Sequence, residues 1–226
     1  MTAILELLGR VAALGGPVVM ILLAMSLVAT ALVLVKLWQF YRLGVGRHGQ
    51  LTAALAAWDD GAAGHAQQIA GTAPSHLSGL AQAALVAAKQ SQFEDAALRA
   101  RLSSLATARL SVLSSGLRLL DSVAQVAPLL GLFGTVLGMI EAFQGLQAAG
   151  ASVDPSALAG GIWVALLTTA VGLGVAMPAS LILSWLDARI AREAQLAERI
   201  IDTALCAGLS QPAAPSHRSA PVLAPA

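Results

Sequence analysis

Hydrophobic positions in this chain gather into three runs with almost no charge, separated by segments in which apolar residues recur every three or four positions. The first run fills residues 17–40 and is unbroken from Val18 to Val35 except for Ser26 and Thr30. The second covers residues 123–148. The third covers 158–186, with no charge until Asp187. A hydrocarbon core about 30 Å thick takes roughly 20 helical residues to cross, so each run predicts a transmembrane helix. The third would be about 43 Å long at 1.5 Å per residue and should tilt or project beyond the bilayer.

The flanking segments have helical periodicity. Ile4, Leu5, Leu8 and Val11 predict an amphipathic helix over 1–16, lying in the outer interface and broken at Gly15-Gly16-Pro17. Residues 41–122 read as a helical segment with a short helix near Leu51–Trp58. From His76 to Ala127 there is no proline, and Leu98, Leu102, Leu105, Leu110, Leu113, Leu117 and Leu120 keep a mostly three-to-four spacing. That predicts one helix running directly into the second span, about 70 Å long outside it. A helical extension is expected over 187–209, and the Pro- and Ala-rich 210–226 as a disordered tail.

Charge supplies the orientation. Lys36, Arg42 and Arg47 follow the first run, Arg109 and Arg118 precede the second, and Arg189, Arg192 and Arg199 follow the third. The loop 149–157 holds no basic residue. The positive-inside rule then predicts the N-terminus outside, residues 41–122 inside, the short loop outside and the C-terminus inside. Ala29-Thr30-Ala31 matches a signal-peptidase site but lies within the apolar run, and Lys36, Trp38 and Tyr41 follow it as an interfacial stop. A retained helix is therefore expected.

Composition agrees: 57% of the 226 residues are hydrophobic and 11% charged, against about 25% charged in soluble domains. A net charge of +1 and few aromatics give no footprint for nucleic acid. One cysteine excludes a disulfide within the chain, and the four histidines have no metal-ligand spacing. No phosphate-binding loop, HExxH or GxSxG motif is present, so neither an enzyme nor a cofactor is expected.

The remaining signal lies within the spans. Gly131, Gly134 and Gly138 punctuate the second, and Gly161, Ala165, Gly172 and Ala176 fall on two small-residue rows of the third. Small residues let helix backbones approach closely where lipid supplies little hydrophobic drive, so these positions are expected to carry helix packing. Counted from the outer loop, Thr135 and Thr169 lie about 20 and 17 Å deep. Hydroxyls at one level near mid-membrane suit a polar path for a proton or small cation, although membrane threonines also bond back to their own helix. Thr168 adjoins them and is expected on the same ion pathway. Glu141 is the acidic residue well within a span, and such residues mark functional sites. Its helical angle puts it on the face of Gly134 and Gly138. Its alternative reading is a carboxylate reaching the outer interface.

The stretches "APLLGLFGTVLGMIEAF" (127–143) and "GGIWVALLTTAVGLGVAMPAS" (160–180) resemble the MotA/TolQ/ExbB proton-channel family, most closely its TolQ/ExbB branch. The first is similar to an AP-x-x-GL-x-GTV-x-G pattern and the second to AL-x-TTA-x-GL-x-x-A-x-PA. The resemblance implies an all-α membrane protein with three transmembrane helices and long cytoplasmic helical extensions, assembled as a homopentamer around a pore in the bacterial inner membrane. It implies an ExbD/TolR-like single-span partner dimer inside that pore, and a TonB- or TolA-like protein receiving the work. It puts the pore threonines at Thr135 and Thr169. The family's usual glutamate in the third span falls on Val164 here. Either Glu141 replaces that carboxylate, or the coupling ion or conduction differs. A non-conducting membrane scaffold that assembles partner proteins is the alternative function.

Overall fold

The computed structural model describes residues 16–90, 94–149 and 155–208. The N-terminal amphipathic helix up to residue 15, residues 150–154 of the loop expected over 149–157 and the tail over 210–226 therefore lie outside the described residues, while the loop's two ends, 149 and 155–157, are helical. Within them the chain is helical: α1 (Gly16–Arg42), α2 (Gly49–Asp59), α3 (Ala63–Thr72), α4 (Ser78–Gln90), α5 (Asp95–Ser114), α6 (Leu117–Ala149) and α7 (Pro155–Leu205). Three of them, α1, α6 and α7, are long and apolar enough to cross a membrane. The fold expected from the sequence, an all-helical protein with three such helices and long helical extensions, is the one observed.

The chain divides into two units: residues 1–41 with 112–190, and residues 42–111 with 191–226. The first contains the apolar helices. Only 22–28% of their most apolar windows is buried within the chain, so most of each span is left for lipid or for partner helices. A small core of Val18, Leu22, Ala127 and Ala176 joins α1, α6 and α7. Where the apolar run of α7 ends, the Arg189 guanidinium lies over the Trp185 ring, 5.8 Å from its centroid. That pairing suits a membrane interface, where an aromatic face and a charged head meet.

The second unit has a core of its own. Leu51, Leu77, Leu80, Leu85 and Ile200 are fully buried, and alanines 54, 66, 70, 84 and 197 fill the spaces between them. Methyl groups at the contacts allow close helix approach, which suits a unit built from helices of 10–13 residues. Arg99 and Asp202 make a 2.6 Å ion pair, but both are about half exposed; such pairs contribute about 1 kcal/mol or less.

The single long helix expected between His76 and Ala127 is instead three helices, for two reasons. The apolar faces of α4 (Leu80, Ala84, Leu85) and α5 (Leu98, Leu102, Ala106) belong to one core, and a straight rod cannot bring its own two halves together. Further on, Gly116 takes a φ of +78°, a conformation that side chains with a Cβ avoid, and this separates α5 from α6. The break is capped from α1. The Lys36 ammonium donates to Leu113 O at 3.1 Å, Gln39 Oε1 at 2.8 Å and Ser115 Oγ at 3.3 Å. The Gln39 amide donates to Val112 O at 3.2 Å. A buried cation and a neighbouring amide thus each satisfy one carbonyl that the helix end leaves without a partner, the cation at the end of the helix dipole that favours positive charge.

Candidate functional site: the α6–α7 seam

Close approach of glycine to backbone sets the register of α6 against α7. A Cβ on Gly138 would lie 3.0 Å from Ala165 Cβ, and one on Gly161 would lie 2.7 Å from Ala142 Cβ. At the other end, a Cβ on Gly172 would meet Ala127 O at 2.6 Å and Gly131 Cα at 3.1 Å. The helices are therefore antiparallel, with position 138 beside 165 and position 131 beside 172. Gly134 sits against the Thr168 side chain, 2.7 Å from where a Cβ would stand. Ala165, Gly172 and Ala176 are buried. All seven small residues singled out in the sequence thus lie along this seam or in the small core beside it.

The register also fixes levels. Thr169 comes opposite position 134 and Thr135 opposite position 168, so the two threonines stand about one residue apart, roughly 1.5 Å along the axis. Their hydroxyls differ in state. Thr135 is half-buried, and its hydroxyl donates to Leu132 O of its own helix at 2.6 Å. The Thr169 hydroxyl is enclosed and meets no hydrogen-bonding partner among the described residues. An unpaired buried hydroxyl costs about 1–3 kcal/mol, so Thr169 is the threonine with bonding capacity left.

Thr168 is a different case. Expected as one of the ion-pathway residues, it is buried within the seam. Its hydroxyl proton lies within reach of Ala165 O at 2.7 Å and, across to α6, Gly131 O at 3.0 Å. It bridges the helices. Glu141, expected by helical angle on the glycine face, is exposed, while its neighbour Ala142 takes the contact with Gly161. Glu141 comes opposite position 162 and Val164 opposite position 139, so the two levels differ by about 3 Å.

A groove of about 460 Å³ runs along the exposed side of α6, lined by Thr135, Val136, Met139, Ile140, Phe143 and Gln144 among others. Leu129, Leu132, Phe133 and Ile140 on α6 are exposed, as are Trp163 and Leu166 on α7. Sequence reasoning does not separate Thr168 from Thr169, because neighbouring hydroxyls differ only in which way each faces across the seam. Nor does it find Lys36, whose partners lie 77 and 79 residues away.

The chain is similar to known proteins. It is 48% identical over 83 residues to the biopolymer transport protein exbB1 of Vibrio cholerae serotype O1, covering 35% of this chain and 36% of that protein. It is 44% identical over 91 residues to ExbB of Xanthomonas campestris pv. campestris, covering 40% of this chain and 34% of that one. It is 42% identical over 71 residues to the Tol-Pal system protein TolQ of Haemophilus influenzae, covering 31% of each. The chain thus spans about a third of the length of the curated relatives it matches. The MotA/TolQ/ExbB proton channel family profile matches residues 71–199, more than half of the chain and including both α6 and the apolar part of α7. Three membrane-length helices and this match make the chain a multi-pass membrane protein that belongs to the MotA/TolQ/ExbB proton channel family.

Proposed function

We propose that this chain is an ExbB/TolQ-like subunit of a proton-driven motor in the bacterial inner membrane. Its N-terminus faces the periplasm, and its second unit and C-terminus face the cytoplasm. Copies assemble as a pentamer around an ExbD/TolR-like single-span dimer, which passes work to the envelope through a TonB- or TolA-like protein. The exposed α6 face and the largely uncovered spans supply the surface such an assembly needs.

The observation that carries this reading is the common level of Thr135 and Thr169 on neighbouring helices, with Thr169 holding an unengaged hydroxyl. A ring of hydroxyls at that level accepts and donates hydrogen bonds, as a hydrated proton path requires. Thr168 acts as packing in this scheme. Glu141, exposed near the level of Val164, supplies the carboxylate that the third span lacks.

Co-reconstitution with the single-span partner in proteoliposomes tests it. Thr169→Val and Thr135→Val, which keep shape but remove the hydroxyl, should lower proton flux at least about tenfold, a change of about 1.4 kcal/mol in the barrier. Thr168→Val should weaken assembly instead. Glu141→Gln should reduce flux. No flux in the wild-type assembly would mean a non-conducting scaffold, unchanged flux in both pathway-threonine variants would remove those hydroxyls from the path, and unchanged flux in Glu141→Gln would remove that carboxylate.

A further inference from the structure

Away from the spans, the second unit buries a carboxylate between two imidazoles. Glu193 lies on α7 past its apolar run, with its side chain 2% exposed. Its Oε1 accepts from the Gly46 amide at 3.1 Å and lies 2.8 Å from His48 Nε2. His48 Nδ1 lies 3.4 Å from the Ser75 hydroxyl, and the Gly46 amide also stands 3.1 Å from His48 Nε2. On the other side, His76 Nδ1 stands 3.7 Å from Glu193 Oε2, beyond hydrogen-bond length. His76 is 6% exposed. Neither of its ring nitrogens, nor Glu193 Oε2, has a hydrogen-bond partner among the described residues.

The backbone around the cluster is closely fitted. Gly44 and Gly46 take φ of +65° and +87°, and a Cβ on Gly44 would strike the Pro74 carbonyl. The His76 amide donates to Leu43 O at 3.1 Å, and Arg109 Nη1 on α5 donates to His76 O at 3.1 Å. Glu193 is therefore the point at which α7 is held by the 43–48 segment, with His76 of the 73–77 segment set against its free oxygen.

We propose that Glu193, His48 and His76 form an acid-sensitive latch. It holds this part of α7 to the 43–48 and 73–77 segments while His76 is neutral, and it releases when His76 takes up a proton. The titratable and charged groups facing His76 are Glu193 on α7, His48 before α2 and Arg109 on α5. Burial lowers the proton affinity of His76 below its ordinary value of 6.5, Glu193 opposes this, and His48 and Arg109 add to it. Burial, reinforced by the Arg109 guanidinium, thus outweighs the attraction of the carboxylate. Since folding lowers that affinity, the unfolded or opened state binds more protons. The latch is fully stable above pH 6.5 and loses stability as pH falls from there toward the lower folded value. In the orientation proposed above, it reads cytoplasmic pH; only that assignment of side rests on the motor reading.

The test uses the full chain in detergent micelles, without partner or gradient, so its failure is distinct from failure of the motor reading. The ring of His76, identified by loss of its NMR signal in His76→Gln, should titrate below pH 6.5, and lower still in Glu193→Gln. Hydrogen exchange over 191–197, corrected for intrinsic rate, should quicken between about pH 7.5 and 5.5, by no more than about tenfold per pH unit, the limit for uptake of one proton. His76→Gln should remove that acid response. The proposal is overturned if His76 titrates at or above 6.5, if exchange in the wild-type chain is indifferent to pH, or if His76→Gln keeps the full response. Should a variant fail to fold, the wild-type titration and exchange decide alone.

Discussion

At the scale of single residues, the α6–α7 seam divides its glycines by what surrounds them. Gly172 has backbone on its open side, where an added methyl would stand 2.6 Å from Ala127 O, whereas Gly145 on α6 has nothing within 4 Å. Replacing each with alanine should therefore have opposite effects. Gly172→Ala must push the helices apart and should destabilise by about 1–3 kcal/mol, the usual range for overpacking. Gly145→Ala meets open space and should be neutral, or stabilising by up to about 1 kcal/mol through helix propensity. Unfolding in mixed micelles measures both, and equal effects would mean that the seam is not as close as the glycines indicate. The same distinction separates the threonines. Composition places hydroxyls at residues 168 and 169, but only the facing of each side chain makes one a bridge to Gly131 O and leaves the other unengaged.

At the scale of elements, the corner between α5 and α6 shows how a local signal is outweighed. Leucine spacing continues through Leu113, Leu117 and Leu120, and propensity alone favours a continuous helix. One glycine at positive φ and one lysine on α1 convert it into a capped break. Lys36→Met keeps the apolar stem but removes the charged donor, leaving Leu113 O without that partner. A loss of about 1.5–3 kcal/mol is expected, typical of hydrogen bonds to charged groups. Hydrogen exchange should quicken at residues 112–116, with partial recovery in Lys36→Arg. Exchange unaltered at this corner would show that Gly116 alone maintains the break. Pro128 and Pro178 sit inside α6 and α7. Each removes one backbone donor, which a membrane helix tolerates where neighbouring groups compensate.

At the scale of the whole molecule, the testable quantities are orientation and assembly. The chain's one cysteine, Cys206, is exposed just beyond α7. In the proposed orientation it faces the cytoplasm. A membrane-impermeant maleimide should then leave it unlabelled in spheroplasts and label it fully once they are permeabilised. Labelling of intact spheroplasts would reverse the assignment for the C-terminal side. Because most of the apolar span surface remains open within one chain, native mass spectrometry in detergent should show an oligomer with little monomer, and five copies is the number proposed.

The existence of three membrane-length helices and the family were both legible in the linear chain. Each depends on quantities that add along it: hydropathy over about 20 residues and motif order. Tertiary structure decided what depends on direction and on contacts between distant positions. It returned α5 against α4, put Thr168 rather than Thr169 into the seam, exposed Glu141, and closed Lys36 over the Leu113 carbonyl far along the chain. It also brought together His48, His76 and Glu193, residues whose sequence spacing holds no sign of a cluster. Periodicity reports which side of a helix is apolar, but only the packed neighbours determine which polar group on that helix meets a partner.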